Sequence, residues 1–216
     1  SRLYSAASRI GLGWAVGFPG TTNHLEDLEQ TEVMLVIGAN LTASAPEVGY
    51  AVKRAVKYKG AKLIVIDPQQ TRLSSFAHIW LRPKVGTDIA LLNSMASVII
   101  SEDLIDEEFV TRKTDNFEAF CKSLEQCAPE HVEKITGVPA HDMSRAARLF
   151  ASAEKASIIY GNGITQHITG TEAVMALANL AMLTGNIGYG SGGLYALQDD
   201  CNAQGACDMG GLPSYL

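Results

Sequence analysis

Several classes of protein are excluded by what this chain does not contain. Its longest purely apolar runs, such as those at 33–37 and 63–66, fall far below the roughly 20 residues that a bilayer-spanning helix needs. No membrane contact is therefore expected from it. Positive charge is scarce as well: 17 basic residues stand singly against 23 acidic ones, for a formal net charge of −6. That leaves no cationic stripe to follow a phosphate backbone, so nucleic acid is not an expected partner. The four cysteines, Cys121, Cys127, Cys201 and Cys207, form no C-x-x-C pair. A chain of this size needs no disulfide staples, so they read as free thiols. The five histidines, His24, His78, His131, His141 and His167, lie far apart without an H-x-x-x-H pair, so no metal is expected on this chain alone. No serine sits in a nucleophile-elbow sequence, and no cysteine has a histidine at local spacing. His167 is a lone loop imidazole, and Asp199-Asp200 reads as a solvated pair. The chain opens Ser1-Arg2-Leu3-Tyr4, without an initiator methionine or a basic-then-apolar leader, and is expected to be an excerpt of something longer.

What is present suits one large, well-buried domain over 1–216. Hydrophobic residues make up 47% of the 216, charged residues 19%, and the mean hydropathy is +0.08. The clearest strand is Val33-Met34-Leu35-Val36-Ile37, a continuous apolar run ending in Gly38-Ala39-Asn40, as expected for a strand covered on both faces of a parallel sheet. A helix over 47–59 follows, apolar at Val48, Ala51, Val52, Ala55 and Val56 and closed by Gly60. The strand at 61–66 then completes a β-α-β unit. A third strand, Ile79-Trp80-Leu81, leads through Arg82-Pro83-Lys84-Val85-Gly86 to a helix reaching about residue 101, with Thr87 or Asp88 as its cap. Polar-faced helices over 106–111, 116–124, 129–136 and 140–153 read as a helical insert at about 103–153. The strand Ser157-Ile158-Ile159-Tyr160 ends in Gly161-Asn162-Gly163 and precedes a helix over 171–183. Glycines crowd 185–193, which reads as loop. The fold class is α/β, a doubly wound, mostly parallel sheet.

In such a sheet ligands sit beyond the carboxyl ends of the strands, where strand order reverses. Gly38-Ala39-Asn40, Asp67-Pro68-Gln69 and Gly161-Asn162-Gly163 all fall at strand ends. Glycine permits close backbone approach, and N–H groups at helix starts favour an anion without any lysine. Asp67 follows the second strand, where a carboxylate can accept hydrogen bonds from ribose hydroxyls. Asp88, at a helix start beside Gly86, has the acceptors to match the N1–H and N2 amino edge of guanine, or serves as a plain cap. The first strand is not followed by G-x-G-x-x-G, which disfavours a nicotinamide dehydrogenase domain.

The chain also resembles a known family over nearly its whole length. The stretches that carry the likeness are Val36-Ile37-Gly38-Ala39-Asn40, Gly60-Ala61-Lys62-Leu63-Ile64-Val65-Ile66-Asp67-Pro68, Gly86-Thr87-Asp88-Ile89-Ala90-Leu91-Leu92-Asn93, residues 133–138 and 160–166, Leu180-Ala181-Met182-Leu183-Thr184-Gly185-Asn186-Ile187-Gly188, and residues 202–210. They are similar to the molybdopterin oxidoreductases, most closely the alpha subunit of molybdenum- or tungsten-dependent formate dehydrogenases. The resemblance implies an internal Rossmann-like domain that holds one molybdopterin guanine dinucleotide. Gly38, Ala39 and Asn40 would then face the phosphates, Asp67 and Pro68 the ribose end, Gly86 and Asp88 the guanine, and Gly161, Asn162, Gly163 and Gln166 the cofactor at the next strand end. It further implies molybdenum or tungsten on the cofactor and a 4Fe-4S cluster in the parent but not on this chain. The implied partners are the remaining domains of the parent subunit and iron–sulfur electron-transfer subunits. The isolated chain would be inactive.

The sequence departs from the family pattern at one telling place. Such formate dehydrogenases carry Arg-Gly-Gln-Asn-Asn, with the arginine beside the metal, where this chain has Gln198-Asp199-Asp200-Cys201-Asn202. An amide followed by two acids attracts an anionic substrate less than a guanidinium does. Two other readings compete: a stand-alone nicotinamide dehydrogenase, and a non-catalytic assembly module that has lost its cofactor. The middle domain of thiamine-dependent enzymes resembles 158–166 but leaves 204–210 unexplained.

Overall fold

The computed structural model describes residues 6–188, 190, 192–197, 205–206 and 209–210. At its centre five parallel strands lie in the order β3-β2-β1-β4-β5. They are β1 (Val33–Ile37), β2 (Lys62–Ile66), β3 (Ile79–Leu81), β4 (Ala156–Tyr160) and β5 (Leu194–Ala196). The order runs outward from β1 in one direction and restarts at β4 in the other, which is the doubly wound arrangement with its switch point between β1 and β4.

Both faces of this sheet are covered, which is why its strands read as unbroken apolar runs. On one face Leu35, Ile37, Ile64, Ile66, Ile158 and Tyr160 meet α4 (Asp88–Ser101), α8 (Ala140–Ala151) and α10 (Gly170–Leu183). On the other, Met34, Val36, Leu63, Val65 and Ile159 meet Val48, Ala51, Val52 and Ala55 of α3 (Pro46–Tyr58). Gly60 ends that helix at φ +78°, which lets the Ala61 N–H turn back to the Ala55 carbonyl at 3.2 Å.

Between α4 and β4 run α5 (Glu107–Lys113), α6 (Phe117–Ser123), α7 (Pro129–Thr136) and α8. The inner face of α8, with Met143, Ala146, Ala147 and Phe150 buried, lies against β1, β3 and α4. The Arg148 guanidinium makes two 2.7 Å bonds to the Glu102 carboxylate at the end of α4.

Four elements carry little signal in the sequence. The helix α1 (Ala6–Val16) packs along α10. The single turns α2 (Leu41–Ser44) and α9 (Asn162–Thr165) sit just beyond β1 and β4. The fourth is β5, a three-residue strand created by its pairing with β4, Ile158 opposite Leu194. Its approach is held by side chains: the Asn186 Oδ1 accepts from the N–H groups of Ala156 (2.7 Å) and Gly192 (3.3 Å). Ser157 donates to the Gly192 carbonyl at 2.7 Å. Thr21 and Thr22 accept from the N–H groups of Ala196 and Leu194. Among the described residues no helix is long and apolar enough to cross a membrane, and none offers a cluster of three His, Cys, Asp or Glu side chains fit for a metal.

Candidate functional site

Strand register builds the site. Ile37 pairs with both Ile66 and Tyr160, so the residues that follow, Gly38, Asp67 and Gly161, emerge side by side at one rim. There the chain encloses a crevice of about 360 Å³, lined by Gly38, Ala39, Asn40, Asp67, Pro68, Asp88, Gly161, Asn162 and Gly163. Nine of the eleven residues singled out in the sequence thus share one cavity. Gly86 and Gln166 do not line it: Gly86 shapes the approach to α4 at φ +82°, and Gln166 is an exposed residue at the end of α9.

The glycines at the switch point also let the chain approach itself. A Cβ on Gly163 would lie 2.8 Å from the Gly38 Cα and carbonyl oxygen, and one on Gly38 would lie 3.0 Å from the Gly163 carbonyl carbon. The Gly163 N–H donates to the Gly38 carbonyl at 2.9 Å, and the Gly161 N–H to Ile37 at 3.3 Å. Their missing side chains therefore bring two backbones together across the switch point. Gly163→Ala is expected to cost about 2 kcal/mol in a denaturant titration, because both opposing atoms are backbone and cannot swing aside. A loss within error of zero would show that the contact yields.

Asp67 is held from behind. Its N–H donates to Leu81 at 3.1 Å, its carbonyl accepts the Trp80 indole N–H at 3.0 Å, and its Oδ1 accepts from the Gln69 N–H at 2.8 Å. The Arg82 guanidinium lies 4.8 Å from the Trp80 ring and covers it. Asp88 opens α4 as its first residue. Thr87 takes the N-cap position, as expected, but without a side-chain capping bond: its hydroxyl donates back to the Lys84 carbonyl at 2.7 Å, closing the turn between β3 and α4. That leaves the Asp88 carboxyl to the crevice.

Partial burial pushes both carboxyls above their ordinary range. For Asp67 the bond from Gln69 opposes the rise. For Asp88 its own N–H and the nearby His167 oppose it, and the Asp67 charge adds to it. The crevice thus holds two acceptor groups whose charge is only partly solvated.

Lys84, His167 and Ser44 also line it, and none of them was expected there. Lys84 reaches it because its N–H is tied to the Thr136 carbonyl at 2.8 Å and its stem crosses Gly137. No local pattern in the sequence marks that crossing. Residues 198–202, where the family arginine is replaced, lie outside the described residues.

Comparison with known proteins agrees with this architecture. The alpha subunit of the F420-dependent formate dehydrogenase of Methanocaldococcus jannaschii is 42% identical over 214 residues, covering 99% of this chain and 32% of that protein. Formate dehydrogenase H of Escherichia coli is 42% identical over 213 residues, covering 99% and 30%. The chain therefore spans about a third of the length of these relatives. Among solved structures, acetylene hydratase from Pelobacter acetylenicus superposes with a TM-score of 0.77 at 29% identity, covering 87% of this chain and 25% of that one. The sequence model of one family, molybdopterin oxidoreductase, runs from residue 12 to residue 215, and on that match the chain belongs to the molybdopterin oxidoreductase family.

Proposed function

We propose that this chain is the domain that holds one molybdopterin guanine dinucleotide in a larger enzyme, by gripping the guanosine end in the switch-point crevice. Family membership implies a molybdopterin cofactor; the dinucleotide form is our reading. The observation that carries it is a pair of half-buried carboxylates facing one crevice, Asp67 at the end of β2 and Asp88 at the start of α4.

The donor set suits that ligand. Ionised carboxylates only accept, and the guanine edge offers N1–H and the 2-amino group, as the ribose offers hydroxyls. Lys84 supplies a cation for a diphosphate beside two acids, and the His167 ring lines the same crevice. The crevice falls within the roughly 300–1,000 Å³ of small-molecule sites, room for the nucleotide end rather than the whole dinucleotide. Bound molybdopterin supplies a dithiolene-held molybdenum or tungsten for two-electron exchange, while this chain supplies placement and electrostatics.

For the whole enzyme we propose the alpha subunit of a formate dehydrogenase, oxidising formate to carbon dioxide. In it a 4Fe-4S cluster is carried outside this chain, and electrons pass to iron–sulfur subunits. The relatives named for formate support this. The cradle does not by itself choose the substrate, because the domain also matches a protein named for acetylene hydration. Gln198, in place of arginine, favours a weaker hold on formate than the family pattern gives.

Titration of the protein with GDP and ADP tests the guanine site. Saturable binding of GDP with a clear preference over ADP is expected; equal or absent binding would refute it. Formate-dependent dye reduction by the intact enzyme tests the activity, and its absence in enzyme that carries metal and pterin would refute formate as substrate.

A further inference from the structure

We infer that Trp80 is a positioning residue, whose indole N–H stands in for a backbone donor that Pro83 lacks and so fixes the Asp67 carboxylate toward the ribose of the bound nucleotide. This rests on the guanosine reading above. Strands β2 and β3 pair in parallel with Ile66 opposite Leu81, and one step further along the Asp67 N–H still donates to the Leu81 carbonyl at 3.1 Å. Continued in that pattern, the ladder would give the Asp67 carbonyl the N–H of residue 83. Residue 83 is a proline and has none to give.

The Trp80 indole takes that place. Its Nε1–H donates to the Asp67 carbonyl at 3.0 Å, so both backbone groups of Asp67 are tied to β3 after the regular ladder has ended. The ring is itself fixed from two sides. It packs against the buried cluster that includes Val65 and Leu73, and the Arg82 guanidinium, two residues along the strand and so on the same face, lies 4.8 Å from its centroid. With its backbone held, Asp67 keeps only side-chain freedom, and the Gln69 N–H restrains that by donating to Oδ1 at 2.8 Å. The second carboxylate oxygen is left to the crevice, whose wall Pro83 shares. A carboxylate placed in advance accepts from ribose hydroxyls with little ordering left to do on binding.

The test compares calorimetric affinities for GDP, for ADP, and for dideoxy-GDP, which lacks both ribose hydroxyls. They are measured on wild type, Trp80→Phe, Asp67→Ala and the Trp80→Phe/Asp67→Ala double variant, with circular dichroism checking the fold. Should Trp80→Phe fail to fold, Trp80 replaced by benzothienylalanine keeps the size and shape of the indole and exchanges only its N–H for sulfur. Wild type should favour GDP over dideoxy-GDP roughly tenfold, the scale of a charge-assisted hydrogen bond. Loss of the indole N–H should lower that preference to about threefold by weakening GDP alone, because only the hydroxyl contacts depend on where the carboxylate is held. In the Asp67→Ala background Trp80→Phe should have no further effect, since its target is gone. An unchanged preference, an equal weakening of GDP and dideoxy-GDP, or a further effect in the Asp67→Ala background would overturn the inference and leave the guanosine site standing. So would a wild type that selects GDP over ADP yet ignores the ribose hydroxyls. A wild type indifferent among all three ligands would instead overturn the site itself.

Discussion

Replacing Asn186 by alanine should destabilise the protein by about 3–5 kcal/mol, the sum expected for two buried N–H groups left without acceptors and a lost donor pair. The side chain is fully buried. Its Oδ1 serves the N–H groups of Ala156 and Gly192, and its Nδ2 donates to the Thr184 carbonyl and hydroxyl, both at 2.9 Å. One amide thereby ties the turn after α10 to the first residue of β4 and to the approach to β5. The loss would consume a large part of the roughly 5–15 kcal/mol that holds a domain together. Equilibrium urea unfolding measures it. Thr184→Val removes one acceptor of Asn186 and the long bonds that the hydroxyl donates to the Leu180 and Ala181 carbonyls, and should cost about 1 kcal/mol. If the Asn186 variant lost no more than the Thr184 variant, the central role of this amide would be wrong.

Asp88→Asn should act on binding and on stability in opposite directions. The amide can present one acceptor but not two, so GDP affinity should fall roughly tenfold to a hundredfold, the scale of a lost charge-assisted pair. Without ligand the same variant should be more stable than wild type at pH 7. The sign follows from the direction of the shift: burial raises the folded-state pKa above the ordinary 3.8, so the group favours folding below that value and this contribution is lost as pH rises through the folded pKa. At pH 7 the ionised carboxylate therefore opposes folding, and removing its charge relieves that. The gain should fade as pH falls to about 3.8 and below. Melting temperatures of the two proteins across pH 3–8 would show it. A variant that binds GDP as wild type does would remove Asp88 from the guanine site. One that is less stable at pH 7 would show that its carboxylate serves the helix start instead.

Much of the sheet could be read from the chain because its strands are buried on both faces and so spell uninterrupted apolar runs. Val33–Ile37 is such a run, Ala156–Tyr160 is one but for Ser157, and each ends at a glycine that the fold requires. The helix α3 announced itself by apolar periodicity and the glycine at its end, α4 by its cap candidates Thr87 and Asp88, and α7 by the break at Gly137. What stayed hidden was short or made by contact. β5 is three residues long, and only the register against β4 makes it a strand. α2 and α9 are single turns whose sequence is ordinary loop. α8 reads as one helix of a polar-faced run, although its buried face closes the core over β1 and β3.

The candidate site divides in the same way. Composition and strand-end spacing alone determined that an acidic α/β chain presents Gly38, Asp67 and Gly161 at the carboxyl ends of its strands, with Asp88 at a helix start, because a parallel sheet leaves those ends on one edge. Only the tertiary structure decided that Lys84 and His167 join them and that Gly86 and Gln166 stand apart from the wall. It also decided that the switch-point glycines bring backbone against backbone. The physical reason is that a strand buried on both faces, and the turn that ends it, are local properties written into the chain as one apolar run. Which loop side chains reach a shared cavity depends instead on long-range contacts such as Lys84 with Thr136, and no neighbouring residue in the sequence encodes those.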